Sequence, residues 1–180
     1  MAMDRVELAK FLYTELRKEI LEAQKIRTQL IGFKITFVSV GSGLIVANLQ
    51  SVPIEILVVP ALAAVFFDLL INGYSFSIKR IGVYIRCYLE PILNKGVVWP
   101  KSIPLWEDFM IQPIFKQRLS AIGNLGITIL SVMIATFGLI STLPSIRSVS
   151  LLFIMALLTS YDVITFYKIP RIEKAPSGQN

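Results

Sequence analysis

"AAVFFDLLI", residues 63–71, holds one aspartate, Asp68, inside a run otherwise as apolar as lipid. Whether that run is the core of a soluble domain or a membrane span decides the fold, and the surrounding chain settles it. Of 180 residues, 54% are hydrophobic and 17% charged. With a mean hydropathy of +0.67, the composition is too apolar for a soluble domain of this size. Four apolar stretches, near residues 30–50, 54–76, 120–141 and 148–167, each approach the roughly 20 residues that a helix needs to cross about 30 Å of hydrocarbon. The linkers "QSVP" (50–53) and "TLPSIR" (142–147) are short and carry proline, so each neighbouring pair of spans is expected to form an antiparallel helical hairpin. The predicted fold is an all-α membrane protein with four transmembrane helices in two hairpins, a long N-terminal cytoplasmic helix and a helical cytoplasmic central segment.

Charge orients that fold. Of the eighteen Lys and Arg, seven precede or begin the first span, seven lie between the hairpins, three follow the last span, and Arg147 alone is on the other side. The positive-inside rule then puts both termini and the central segment in the cytoplasm, and the chain in the cell (inner) membrane. A pI near 9.6 is explained by these flanks without nucleic acid, and anionic lipid headgroups are their expected partner. The first 29 residues are too charged for a cleavable signal peptide, so the first span itself should direct insertion. The expected organisation is a cytoplasmic amphipathic helix 1–29, a first transmembrane hairpin 30–76, a cytoplasmic or interfacial helical segment 77–119, a second transmembrane hairpin 120–167 and a cytoplasmic tail 168–180.

Composition also narrows the chemistry. Histidine is absent and Cys87 is the single cysteine, which removes an internal disulfide, most zinc sites and every imidazole-based triad. "GSG" at 41–43 lies inside an apolar helix and lacks the lysine of a phosphate loop, and no Gly-x-Ser-x-Gly elbow occurs. Paired intramembrane aspartates evoke aspartyl intramembrane proteases, but their Gly-x-Gly-Asp motif is missing. The reading is therefore a protein that is not an enzyme, with no catalytic residue, no metal and no cofactor.

Asp4 and Glu7 have the spacing of a capping box, and no proline or glycine follows until Gly32. A helix should run from the cytoplasm straight into the first span. Val6, Phe11, Leu12, Leu16, Ile20, Ala23, Ile26 and Leu30 form its apolar stripe, with Lys18–Glu22 and Glu22–Lys25 pairs on the polar face. That stripe needs a partner, either the central segment or another subunit. In the central segment Ile78, Ile81, Ile85, Leu89 and Ile92 share one face, which either lies on the membrane surface or packs on the N-terminal helix. Pro91 and the following "NKGVVWPKSIP" end that helix, and a second short helix around "LWEDFMIQPIFKQRL" leads into the third span. Tyr84, Trp99 and Trp106 suit headgroup-level anchors.

Residues 25–45 can be laid on 116–140, with "IT", "SV" and "GLI" recurring, which aligns Asp68 of the second span with Asp162 of the fourth. Measured from cytoplasmic boundaries near 30, 76, 120 and 167, Lys34, Asp68, Asn124 and Asp162 lie roughly 6 to 12 Å deep at about 1.5 Å per residue. Ionisable groups at such depth cost about 3 kcal/mol and normally face each other. Asp68 is therefore expected to be satisfied by Lys34, Asn124, water or its own proton, and one lysine cannot neutralise two carboxylates. The layer either fixes helix register or, through Asp68 and Asp162, forms a cation or proton site. Ser39, Gly43 and Ala47 on the first span, and Ser131 with Ala135 on the third, recur at four-residue steps suited to close helix packing, between hairpins or between subunits.

The stretch "KRIGVYIRCYLEPIL", with Arg80, Ile81, Gly82, Tyr84, Ile85, Arg86 and Glu90, followed by Trp106 and Glu107, resembles a loose group of small four-span membrane proteins of prokaryotes that carry an Arg-Ile-Gly-x-Tyr-Ile-Arg stretch. The resemblance covers the layout of the whole chain and implies no activity; a use for the stretch is a cytoplasmic ion-pair lattice joining Arg80 or Arg86 to Glu90 or Glu107. In size and layout the chain is also similar to small multi-span effectors of prokaryotic antiviral systems, which implies a homo-oligomer acting with a cytoplasmic protein partner. The competing expectation is an ion-coupled transporter or channel subunit using Asp68 and Asp162.

Overall fold

The computed structural model of the chain describes residues 4–48, 50–94, 115–143 and 145–168. Among them every regular element is helical: α1 (Arg5–Ala47), a 3₁₀ turn (Ile54–Leu57), α2 (Val58–Tyr84), a π-turn (Ile85–Leu89), α3 (Glu90–Leu93), α4 (Phe115–Ile140) and α5 (Ile146–Lys168). Four helices are long and apolar enough to cross a membrane.

α1 is one unbroken helix of 43 residues, about 65 Å long at 1.5 Å per residue. Only its second half is apolar, so about 37 Å of helix, residues 5–29, extends past the membrane-length part. Asp4 stands at the N-cap position but its side chain makes no capping hydrogen bond, so the expected capping box does not close; Glu7 remains in the first turn, where the helix dipole favours it. At the other end Asn48 closes the helix by donating its backbone N–H to Ile45 O and Nδ2 to Leu44 O. Pro53 then starts the 3₁₀ turn that leads directly into α2.

α2 is the hub. Of its most apolar window 44% is buried, against 28% for α4 and 11% for α1 and α5, because it packs against all three. Small residues permit this: Ala61 and Ala64 have no exposed surface, and a Cβ on Gly41 of α1 would already lie 3.8 Å from Pro60 Cβ. Leu57, Val58 and Ala61 pack with Ala135 and Leu139 of α4 and Met155 of α5 in the apolar core at the linker end of the bundle. Gly138 is required there, since a Cβ would fall 3.1 Å from side-chain carbons of both Ile54 and Leu57.

α2 does not stop at residue 76. It continues through the π-turn and α3 as a helix spanning Ile54–Leu93, and its far half packs on the far half of α1. Ala9, Ile20, Ile85 and Leu89 form the buried seam, flanked by Leu12, Tyr13, Leu16, Ile78, Ile81, Ile92 and Leu93. The apolar face anticipated for the central segment is thus the one used, and it covers the N-terminal helix. Leu12, Leu16 and Ile20 of the expected stripe on α1 face this seam and Ala23 is buried, but Val6 and Phe11 are exposed at 38% and 55%, and Ala9 is buried in their place. Lys18 pairs with Glu15 at 2.7 Å instead of reaching Glu22. The two halves together form a paired helical stalk.

The π-turn follows from Pro91. Proline has no N–H and its ring crowds the carbonyl four residues back, so a regular helix breaks or widens there. Here the widening is visible one residue earlier, where the Glu90 N–H reaches Ile85 O, five residues back. The helix therefore passes Pro91 instead of ending at it.

Candidate functional site

The polar centre takes one or two residues from each of the four long helices. Lys34 Nζ of α1 donates to Asp68 Oδ1 of α2 at 2.6 Å, and to Asn124 O and Oδ1 of α4 at 2.6 and 3.2 Å. An ammonium has three protons, and all three are directed at acceptors. Asn124 Nδ2 donates to the same Asp68 Oδ1 at 2.5 Å, and the Thr128 hydroxyl donates to Asp68 Oδ2. Both carboxylate oxygens of Asp68 are satisfied and its charge is balanced by a contact ion pair, with Lys34 at 0% and Asp68 at 2% exposure. Such pairing offsets the desolvation that makes a lone buried charge so costly.

Asp162 of α5 is treated differently. It too has no exposed surface, but its Oδ1 accepts one bond of 3.2 Å, from Asn72 Nδ2 of α2. Its Oδ2 is buried without a hydrogen-bond partner, as is the hydroxyl of Thr159 one turn earlier on the same helix. Lys34, Asp68 and Asn124, the anticipated layer, are joined in one network; Asp162 is buried with them but is held by Asn72. Thr128 and Asn72 are additional members. A signal for both was present, since each lies four residues after a layer residue, Asn124 and Asp68, and so on the same helical face.

Two grooves flank this centre. One of about 390 Å³ lies between α1 and α2 at the base of the stalk, lined by Glu19, Glu22, Ala23, Leu70, Tyr74 and neighbours. The other, about 400 Å³, lies between α4 and α5, where Thr136, Thr159 and Ser160 place hydroxyl-bearing side chains among Val132, Leu152 and Met155.

The packing residues divide. Ser131 and Ala135 are buried inside the bundle at 5% and 0% exposure. Ser39, Gly43 and Ala47 are exposed, and a Cβ on Gly43 would meet nothing. The face of α1 turned to its own chain carries Lys34 and Val38 instead. In the stalk, Glu90 is buried at 7% while Arg80 is exposed and Arg86 half-buried. Tyr84 is exposed and stacks on Tyr88, ring centroids 5.3 Å apart. Glu107, Trp99 and Trp106 lie outside the described residues, as does most of the second short helix. The described residues contain no group of three or more acidic or cysteine side chains placed to hold a metal ion.

The chain matches no protein-family model, no curated protein and no solved structure.

Proposed function

We propose that the chain is a non-enzymatic multi-pass protein of the cell (inner) membrane, an effector or scaffold subunit that couples a four-helix intramembrane bundle to a cytoplasmic partner. The observation that carries this reading is the continuity of α1 and α2: both leave the membrane-length segment without a break and stay paired along an apolar seam. A protein that only needed to cross lipid has no use for about 25 Å of paired helix beyond it, residues 77–93 against α1. The Lys and Arg distribution supports two hairpins with both termini and the stalk in the cytoplasm, where basic flanks meet anionic headgroups. The uncovered Ser39–Gly43–Ala47 stripe suits a second copy of the chain, because small residues let helix backbones approach closely in lipid. In the concrete version implied by layout, a cytoplasmic sensor triggers the stalk and the assembled bundles perturb the bilayer.

A second reading, an ion-coupled transporter or channel subunit, is favoured by one observation, the unpartnered oxygen of Asp162. Asp68 fits that role poorly because its acceptors are already occupied.

Three measurements test these readings. In a Cys87→Ser background, an impermeant maleimide should reach Arg80→Cys only in inverted vesicles and Ser51→Cys only in intact cells; labelling of both from one side refutes the hairpin topology. Induced expression should depolarise cells only when the partner is present. Steady cation or proton flux by the purified chain in liposomes, abolished by Asp68→Asn and Asp162→Asn, would instead establish the carrier.

A further inference from the structure

The buried centre holds one cation, Lys34, and two carboxyl groups, Asp68 and Asp162. Lys34 is spent: its protons go to Asp68 and Asn124, and none goes to Asp162. If both acids were ionised, the centre would carry a net negative charge in a hydrocarbon environment, with one weak neutral hydrogen bond to hold it. Among the described residues the charged groups that act on Asp162 are Lys34 from α1 and Asp68 from α2, while the polar residues of α4 in this network, Asn124 and Thr128, are neutral. One positive charge is missing from the balance.

We propose that Asp162 supplies it by carrying an exchangeable proton at neutral pH, making it a proton-binding site within the bundle. The proton, taken from water and returned to it, forms an O–H bond on Oδ2, and the carboxylate charge goes to zero. Oδ2 then becomes a donor, and Oδ1 remains the acceptor for Asn72 Nδ2. The Thr159 hydroxyl, one turn earlier on the same helix, is also buried without a partner and makes no hydrogen bond to Oδ2. Thr159 also lines the α4–α5 groove. A proton fits better than a metal ion because it needs one electron pair, whereas a metal cation needs a shell of oxygens. Asp68 and Asp162, which the sequence repeat aligns, thus have opposite states: an anion locked to lysine and a neutral acid.

The site stands whether the bundle is a scaffold or a carrier, and the experiment keeps the two apart. The full chain in phospholipid liposomes at neutral pH should show the infrared carbonyl stretch of a protonated carboxylic acid, shifted in heavy water. That band should be lost in Asp162→Asn, and it should also weaken in Asp68→Asn, where the one lysine faces one carboxyl and Asp162 can ionise. In the unmutated chain, dicyclohexylcarbodiimide, which adds to protonated carboxyls in apolar surroundings, should leave its mass adduct on Asp162 and not on Asp68, less so as pH rises. Absence of the band, its survival in Asp162→Asn, an adduct on Asp68 instead, or suppression of the adduct by sodium at constant ionic strength would each overturn the proposal. Proton flux in the same vesicles is a separate readout: a protonated Asp162 without flux upholds the site and sinks the carrier.

Discussion

Lys34→Met keeps the length of the side chain and removes its charge, so it isolates what the ammonium contributes. Three hydrogen bonds vanish, to Asp68 Oδ1, Asn124 O and Asn124 Oδ1. Interhelical hydrogen bonds in membrane proteins average about 0.6 kcal/mol each, which sets a floor near 2 kcal/mol. Breaking a buried ion pair in a soluble protein costs about 3–5 kcal/mol, because a charge is left unpaired. Asp68 would keep two donors, Asn124 and Thr128, and can escape by taking up a proton. The expected loss is therefore about 2–3 kcal/mol, with about 2 kcal/mol for Asp68→Asn. The two variants share only the Lys34–Asp68 contact, since Lys34→Met alone also removes both bonds to Asn124, so the double variant should lose about 1 kcal/mol less than the sum of the single losses. Reversible unfolding of the full chain in mixed micelles, run as a double-mutant cycle, measures this. Additivity to within about 0.5 kcal/mol would refute the network as the lock of the bundle.

Other outcomes follow from single contacts. Thr128→Val keeps shape but deprives Asp68 Oδ2 of its donor, and should cost about 1 kcal/mol in the same unfolding assay. Gly138→Leu has no room against Ile54 and Leu57 and should destabilise by about 1–3 kcal/mol, whereas Gly43→Leu meets nothing in its own chain and should leave monomer stability unchanged. If Gly43→Leu nevertheless lowers the cross-linked dimer yield in vesicles, the small-residue stripe of α1 is an interface between copies. Ile85→Ala empties a fully buried position in the stalk seam and should cost about 2–4 kcal/mol, read as faster amide exchange over residues 9–20 and 81–92 with the bundle unaffected.

Hydropathy made the spans legible because each apolar run matches the thickness of a bilayer, and Lys34, Asp68 and Asn124 could be grouped by counting residues from a common boundary. Thr128, which bonds Asp68, and Asn72, which bonds Asp162, carry no charge, and only their spacing of four residues from Asn124 and Asp68 marks them. The seam of the stalk is readable on the α2 side, where isoleucines mark one face, and on the α1 side from Leu12 onward, but not in the first two turns. There Val6 and Phe11 outrank Ala9 in hydrophobicity, yet the close approach of two helices selects the small residue. The π-turn had a cue in Pro91, but the same cue ends most helices. What decided otherwise was the continuing apolar face at Ile92 and Leu93, which gains from staying helical against α1.

Lys34 and Asp68 sit on the same two rods whose far ends form the stalk. Between Asp68 and Tyr84 α2 is unbroken, so bending it there would sacrifice backbone hydrogen bonds. A load applied near Tyr84 is therefore delivered about 24 Å away, at 1.5 Å per residue, to the rivet that clamps Lys34 onto Asp68. The ion pair is the fulcrum of a lever, and a force that pries it loose also frees the one ammonium near Asp162.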